Sequence, residues 1–213
     1  MRTAPWRNVN MKFSPTISER LQNVSVWTVR KARKGFILWD EECEKVESML
    51  IGLISDTHDN LPMVDRAVKK LNEEDVGLVL HAGDYVAGFV IPRFKELKAK
   101  LIGVFGNNDG DHELLKKRFS ENKRLQLRGN FAEITADGLK IALLHGGDEE
   151  LLEALINPES FDVVVHGHTH SAGIHRKGRT LVVNPGEVCG YLTGKSTLAL
   201  LDTVKHEARI VEL

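Results

Sequence analysis

Residues 50–60 read LIGLISDTHDN, an apolar run that ends in a cluster of polar side chains. Four of the first five residues are Leu or Ile, the pattern of a strand that is buried on both faces of a parallel sheet. Asp56 and His58 follow, two residues apart, so both side chains can reach one small volume at the strand end. Residues 61–73 then carry apolar side chains on one helical face. The stretch therefore predicts a strand, a polar turn and a helix, the first unit of an α/β domain.

Polar clusters also follow four later apolar runs of the chain. Residues 78–81 lead to Gly83-Asp84, 101–105 to Gly106-Asn107-Asn108-Asp109, 141–144 to His145-Gly146, and 163–165 to His166-Gly167-His168-Thr169-His170. Ligands of α/β sheets bind in the crevice beyond the carboxyl ends of the strands. Five strand ends are therefore expected to deliver carboxylates, an amide and imidazoles to one rim.

The donor types of these side chains indicate a metal centre. Carboxylate and amide oxygens with neutral imidazole nitrogens suit first-row transition ions, whereas Mg²⁺ or Ca²⁺ would be bound by oxygen ligands. Cys43 and Cys189 form no CxxC pair, which argues against a structural zinc site and favours free thiols. Asp-x-His or Gly-Asp alone is more often a turn than a ligand pair, and His-x-His alone is about evenly divided, but five clusters in one order favour metal binding. The predicted ligands are Asp56, His58, Asp84, Asn107, His145, His168 and His170.

Periodicity also predicts the remaining elements. The expected helices span 61–73, 91–98, 111–118 and 149–156, and the expected strands span 50–55, 78–81, 101–105, 131–135, 140–144, 163–166, 180–183, 197–202 and 208–212. Asp137-Gly138 between two strands is a strong hairpin signal.

The order of the polar motifs resembles the calcineurin-like metallophosphoesterase superfamily. The series consists of Asp56-x-His58, Gly83-Asp84, Gly106-Asn107-Asn108-Asp109, His145-Gly146 and Gly167-His168-x-His170. It is most similar to the small single-domain phosphodiesterases of bacteria and archaea, and the resemblance covers residues 49–213. It implies an α/β fold, a four-layer αββα sandwich of two mixed β-sheets, with a dinuclear metal site at the C-terminal ends of the strands.

The resemblance also implies a role for each ligand. Two divalent transition-metal ions (Mn²⁺, Ni²⁺, Zn²⁺ or Fe²⁺) would be bound, the first by Asp56, His58 and His170, the second by Asn107, His145 and His168. Asp84 would bridge both, because a carboxylate can offer one oxygen to two cations. A hydroxide between the ions would attack the phosphorus of a small phosphodiester with Asn107 close by. Asp84 and Asn107 are therefore the predicted catalytic residues of this hydrolase.

Asn108 departs from the pattern of many superfamily members, which have a histidine at this position that protonates or stabilises the leaving group. An amide can donate a hydrogen bond but cannot act as a general acid at neutral pH. Small phosphodiesterases of this branch often lack the histidine. Activity is therefore still expected, with slow hydrolysis of esters that have poor leaving groups.

Further polar residues near the motifs are candidates for supporting or substrate-contacting roles. They are Asn108, Asp109, His81, His166 and His112. His81 and His166 precede ligand motifs on strands and are expected to be buried behind the ligands. His112 could approach the leaving group, although an exposed histidine at a helix start is the simpler interpretation. Asn184-Pro185-Gly186 resembles the Asn-Pro-Gly-Ser turn of the superfamily, with Glu187 in place of Ser, and is expected to be a structural turn near the site.

Residues 1–48 differ in character from the rest of the chain. Residues 1–34 carry eight Lys and Arg against one acid, and no sustained apolar period. Three interpretations compete: a start assigned upstream of a true start at Met49, a disordered or loosely docked arm, and an Arg-rich targeting segment. The first two are favoured, so the expected domain spans 49–213. A short helix around 39–49 is also conceivable from mixed helical spacing.

Composition limits the partners of this domain. The 29 Lys and Arg against 30 Asp and Glu give a net charge of -1, so the chain has no overall positive potential that would attract a nucleic acid. The sequence has no apolar run of membrane-spanning length. A cytoplasmic enzyme acting on a small phosphodiester is expected, with no membrane partner, and a homo-oligomer is compatible with the sequence.

A non-catalytic scaffold is the main alternative function. At least one eukaryotic branch of the superfamily, a retromer subunit, uses this fold as a protein-binding platform, with several ligands altered. All seven predicted ligands here carry metal-competent atoms. The enzyme is therefore favoured over the scaffold.

Overall fold

The computed structural model describes residues 26–29, 49–157 and 160–213. The strands in these residues are β1 (Val26–Val29), β2 (Leu50–Ile54), β3 (Leu78–His81), β4 (Lys100–Gly103), β5 (Leu125–Leu127), β6 (Phe131–Ala136), β7 (Leu139–Leu144), β8 (Val163–Val165), β9 (Gly173–Lys177), β10 (Thr180–Asn184), β11 (Thr197–Asp202) and β12 (Glu207–Glu212). The helices are α1 (Leu61–Glu73), α2 (His112–Ser120), α3 (Glu149–Ile156) and a 3₁₀ helix (Ile91–Glu96).

The strands form two six-stranded mixed sheets. The first has the order β12-β11-β2-β3-β4-β5, in which β2 to β5 are parallel and β11 is antiparallel to both its neighbours. The second has the order β1-β6-β7-β8-β10-β9, with parallel pairing of β7, β8 and β10. Parallel strands require crossover connections, which helices supply from β2 to β5 and from β7 to β8, whereas strand β9 lies in the connection from β8 to β10.

The two sheets pack face to face over a fully apolar layer. Ile51 and Leu53 of β2 lie in this layer with Ile141 of β7 and Val163 of β8. Because successive side chains of a strand alternate between faces, Ile54 points the other way, into the core beneath the helices. The β2 run is therefore apolar on both faces, as its sequence predicts.

Helices cover the outer face of each sheet. Val64, Val68 and Leu71 of α1 pack on the first sheet, and Leu155 of α3 packs on the second. Two central sheets with outer helices form the predicted four-layer αββα sandwich, so the expected fold class is confirmed.

Most predicted elements occur within a residue or two of their expected bounds, and α1 and α3 have the bounds predicted. The segment expected to be helical at 91–98 is instead a 3₁₀ helix that ends at Glu96, so the predicted α-helix is wrong. The backbone becomes extended at Leu97, and the next amide, that of Lys98, donates to the Asn72 side chain at 2.9 Å. That tertiary hydrogen bond replaces a further helical turn. The short strands β1, β5 and β9 were not predicted.

The expectations for residues 1–48 fall largely outside the described residues, as does the helix considered at 39–49. The exception is β1, which lies within the extension and pairs with β6 in parallel at the edge of the second sheet. Within the described residues, no helix has the length and apolar character needed to cross a membrane.

A truncated chain beginning at Met49 tests the predicted domain boundary. It is expected to fold, because both sheets except the four-residue β1 and all three apolar clusters of the described residues lie in residues 49–213. Loss of an edge strand worth about 1 kcal/mol would lower the melting temperature by about 2–4 °C. Thermal unfolding by circular dichroism and light scattering would measure this. An aggregated product would mean that the exposed β6 edge needs the extension and that the boundary is wrong.

Candidate metal centre

Backbone hydrogen bonds join the loops that follow β2, β3, β7, β8 and β10 into one rim. The Asp56 amide donates to the Gly83 carbonyl at 3.0 Å, and the Gly167 amide donates to the His145 carbonyl at 2.9 Å. The Cys189 amide donates to the Asp56 carbonyl at 3.1 Å, which brings in the loop after β10. Four of the five strand ends singled out in the sequence are joined in this way, and the loop after β4 joins them through the Asn108 backbone amide, which donates to Asp84 Oδ1 at 2.9 Å.

The backbone of this rim adopts the left-handed conformation at several non-glycine residues. Five of the predicted ligands have positive φ: Asp56 (52°), His58 (39°), Asp84 (62°), His168 (68°) and His170 (59°). Such residues are uncommon and cost free energy, so they persist where the surrounding structure enforces them, commonly at functional sites. This backbone conformation directs the side chains of the loops after β2, β3 and β8 toward the same part of the rim.

The first group of predicted ligands shares a volume small enough for one ion. One donor atom from each of Asp56, His58, Asp84 and His170 lies within 4.8 Å of the other three. The His170 Nε2 atom is 3.3 Å from Asp56 Oδ1, and His58 Nε2 is 3.7 Å from the same oxygen. His58 and His170 also stack, with ring centroids 5.0 Å apart.

The second group meets the first at Asp84, although the compact cluster of donor atoms includes neither His145 nor His168. His145 Nε2 is 3.4 Å from Asp84 Oδ2, and His58 Nε2 is also 3.4 Å from that oxygen. His168 Nδ1 lies 2.9 Å from Asn107 Oδ1, and the rings of His145 and His168 meet edge to face. Asp84 Oδ2 is thus the atom common to both groups.

The residues present fit a bound metal. Asp56 Oδ1, His58 Nε2 and His145 Nε2 are buried and have no hydrogen-bond partner, an arrangement that normally destabilises a fold. Ligand atoms about 2.0–2.2 Å from one ion in tetrahedral or octahedral geometry lie roughly 3.0–3.5 Å apart. The separations around Asp56 and Asp84 are of that size, and cations would satisfy the orphaned lone pairs.

Electrostatics of the two groups also favour cations. The Asp56 and Asp84 carboxylates raise the pKa of His58 against the effect of its burial. Burial lowers the pKa of His145, but the Asp84 carboxylate prevails and raises it. Burial likewise opposes ionisation of Asp84, yet His145 and Asn108 hold its pKa well below the usual range. Anionic oxygens therefore draw positive charge to this rim.

Hydrogen bonds behind the rings orient two of the histidines. His145 Nδ1 is 2.8 Å from the Ala82 carbonyl, so it carries the proton and leaves Nε2 free as a ligand. His170 Nδ1 is 2.7 Å from Glu187 Oε2 and is oriented in the same way. A histidine that ligates a metal commonly donates its other N–H to an oxygen of this kind.

Asn108 and Asp109 hold the loop that carries Asp84. The Asn108 side-chain amide donates to Asp84 Oδ2 at 2.7 Å, and its backbone amide donates to Oδ1 at 2.9 Å. Buried Asp109 accepts the backbone amides of Gly106 at 2.7 Å and Val86 at 2.8 Å. The position of the missing histidine is therefore occupied by a donor to the shared carboxylate.

The three remaining candidate histidines occupy different surroundings. His81 is fully buried, which lowers its pKa to about 3. Its Nδ1 accepts the Gly83 amide at 3.1 Å, so it supports the Asp84 loop from behind. His166 is half-buried rather than buried as expected, and this burial lowers its pKa. His112 is exposed and stacks on Phe105 with ring centroids 3.8 Å apart.

Two residues near the centre were not predicted to belong to it. Cys189 was expected to be an unremarkable free thiol, yet its sulfur lies within 4.8 Å of a ring nitrogen of both His58 and His170. Burial and the Glu187 carboxylate raise the pKa of this thiol to about 12. Glu187 was assigned to a structural turn, yet it contacts His170 directly. The signal available in the sequence was the acid at position 187, where the related turn has Ser.

Comparison with known proteins agrees with this geometry. Residues 49–206 match the family model described as the calcineurin-like phosphoesterase superfamily domain. Phosphodiesterase MJ0936 of Methanocaldococcus jannaschii is 42% identical over 165 residues, which cover 78% of this chain and 99% of that protein.

Two solved structures resemble this chain to different degrees. An archaeal phosphodiesterase matches with a TM-score of 0.75 and 42% identity, over 78% of this chain and 100% of that one. Vps29 of Entamoeba histolytica, solved with Zn²⁺, has a TM-score of 0.56 and 22% identity over 78% of this chain and 98% of its own, a likeness of fold alone. This chain therefore belongs to the calcineurin-like phosphoesterase superfamily, and it is a hydrolase that acts on phosphoester bonds.

Proposed function

We propose that this protein is a phosphodiesterase that cleaves small phosphodiesters with two divalent transition-metal ions, Mn²⁺, Ni²⁺, Zn²⁺ or Fe²⁺. The observation that carries the proposal is the position of Asp84 Oδ2, 3.4 Å from both His58 Nε2 and His145 Nε2. Both ring nitrogens are buried and have no hydrogen-bond partner. A carboxylate between two such nitrogens is suited to bridge a pair of ions.

Each ion would be held by three residues in addition to Asp84. Asp56, His58 and His170 would hold the first, and Asn107, His145 and His168 the second. The first set is buried more deeply than the second, in which Asn107 and His168 are exposed. The second ion would therefore face the side from which a substrate arrives.

When bound, such a metal pair supplies Lewis acidity at the phosphate and lowers the pKa of water. The chain itself holds the geometry for this chemistry. In the neutral rings, the buried hydrogen bonds place the proton of His145 and of His170 on Nδ1, which leaves the lone pair of each Nε2 available to a metal. Exposed Asn107 can donate its amide to a phosphate oxygen as negative charge develops there.

The surroundings of Asn108 support a preference among substrates. Its amide donates to Asp84 and cannot protonate a departing alkoxide. Esters whose leaving group departs without protonation should therefore be cleaved fastest. With a net charge of -1, the chain also has no general attraction for a nucleic acid, so a small phosphodiester is the favoured substrate.

The alternative of a protein-binding scaffold is less well supported. The likeness to Vps29 at 22% identity shows the fold alone, so it does not favour a scaffold. The orphaned ligand atoms of Asp56, His58 and His145 favour a working metal centre. The native metal, a cytoplasmic location and a homo-oligomeric state stay predictions.

Metal analysis of the purified protein tests this proposal. After chelation and dialysis, the protein is expected to bind about two Mn²⁺, Ni²⁺ or Zn²⁺ per chain. Turnover of activated phosphodiesters should vanish on chelation and return with the metal, and should exceed that of the matching monoesters. Plasma mass spectrometry and a panel of aryl phosphodiesters and phosphomonoesters would measure both. Full turnover in excess chelator, or the absence of specific metal binding at neutral pH, would contradict the proposal.

A further inference from the structure

A fully buried carboxylate lies directly behind the proposed first metal. Glu187 has no exposed surface, and its Oε2 is 2.7 Å from His170 Nδ1, on the side of the ring opposite Nε2. The His170 Nε2 atom faces Asp56 Oδ1 at 3.3 Å. The imidazole therefore spans the distance between a buried anion and the proposed ion.

Glu187 also binds the segment 189–193 that follows it. Its two oxygens accept the Cys189 thiol at 3.0 Å, the backbone amides of Tyr191 at 3.1 Å, Leu192 at 3.0 Å and Thr193 at 2.6 Å, and the Thr193 hydroxyl at 2.8 Å. Burying a carboxylate is costly unless hydrogen bonds satisfy it. With the His170 ring, six donor groups satisfy this one.

The arrangement is more than a turn requires. A turn could be closed by backbone hydrogen bonds, and an uncharged side chain in a buried position would avoid the cost of desolvation. The donors from segment 189–193 instead stabilise a carboxylate whose Oε2 atom accepts a hydrogen bond from His170 Nδ1. The same segment exposes Tyr191 and Leu192, 63% and 75% accessible, beside the rim.

We propose that Glu187 is a positioning residue: it holds His170 with the proton on Nδ1, and thereby sets the affinity of the first metal. The inference rests on the proposed function, because it takes His170 as a ligand of that ion. Partners of this kind typically alter metal affinity by about 10–100-fold. The effect should be confined to one ion, since the second is assigned to Asn107, His145 and His168.

Calorimetric titration of the metal-free protein with Mn²⁺ tests the inference. Glu187→Gln keeps the volume but removes the charge and turns an NH₂ group toward some of the six donors. It should weaken one of the two Mn²⁺ sites by about 10–100-fold and leave the other unchanged. Turnover should fall at limiting Mn²⁺ and recover as Mn²⁺ is raised, with KM for the phosphodiester little changed.

Thr193→Val is the matched control. It removes the hydroxyl that donates to Glu187 Oε1 and also bonds to the Lys195 backbone, and it leaves the contact between Oε2 and His170 in place. Because five of the six donors remain, it should weaken the first site far less than Glu187→Gln does and leave the second site unchanged. If Glu187→Gln and Thr193→Val give the same two affinities, the carboxylate only builds the segment, and the inference is overturned.

A measurement on the wild type keeps the inference testable if Glu187→Gln does not fold. Long-range ¹H–¹⁵N spectra of the Zn²⁺-loaded protein should show His170 with a slowly exchanging proton on Nδ1 and the metal on Nε2. Zinc on Nδ1, or a rapidly exchanging Nδ1 proton, would refute the positioning role. A wild type that binds no metal in either experiment would instead overturn the proposed function, and the inference with it.

Discussion

Asp84→Asn is expected to abolish binding of both metal ions and to lower phosphodiester turnover by at least about 10³-fold. The change removes the negative charge of the one side chain whose oxygen lies 3.4 Å from a histidine of each group. Without it, two dications would repel each other across a neutral amide. Plasma mass spectrometry for metal content and turnover at saturating Mn²⁺ would measure the two losses together.

Asp65→Asn is the matched control for this substitution. Asp65 undergoes the same chemical change, but its side chain is 51% exposed on α1 and pairs with Arg93 at 3.3 Å. Such surface pairs contribute little to stability, so metal content and turnover should stay at wild-type values. An Asp84→Asn protein with two metals and normal turnover would refute the shared ligand. Retention of one metal would show that Asp84 serves a single ion.

Gly106→Ala is expected to lower turnover by about 10²-fold and the free energy of unfolding by about 1–3 kcal/mol. A β-carbon at this position would lie 2.1 Å from Asp84 Oδ1 and 2.5 Å from the Asp84 backbone nitrogen. Backbone cannot rotate away as a flexible side chain does, so the two loops must separate. Urea denaturation and turnover at saturating metal would measure the consequences.

Gly110→Ala provides the comparison within the same loop. A β-carbon at Gly110 would meet no atom within 4 Å, and neither of these glycines has positive φ. The control should therefore be as stable and active as the wild type. Equal effects at both positions would show that close approach to Asp84 does not matter for activity.

Much of the architecture could be predicted from local patterns. The bounds of α1 follow from apolar side chains on one helical face, and those residues are the ones buried on the first sheet. The hairpin between β6 and β7 follows from Asp137-Gly138, whose φ values of 47° and 86° suit residues tolerant of the left-handed region. These elements depend on residues that are neighbours in sequence, so the sequence suffices.

Elements stabilised by distant partners could not be predicted. The 3₁₀ helix ends where Asn72, 26 residues earlier, accepts the Lys98 amide. Strand β9 has exposed His175, Arg176 and Lys177 with no apolar alternation, and it forms by pairing with β10. Propensity is a weak guide wherever backbone pairing outweighs it.

The sequence alone determined the types and order of the candidate ligands, because parallel strands that end in polar residues must present them at one edge. Only the tertiary structure could decide which atoms meet. Asp84 becomes the residue common to both groups because the loops after β2, β3 and β7 close around it. His170 meets Glu187 because the antiparallel pairing of β9 with β10 brings together residues 17 apart. Such contacts depend on backbone conformation and loop closure across the two sheets, which no local pattern of side chains specifies.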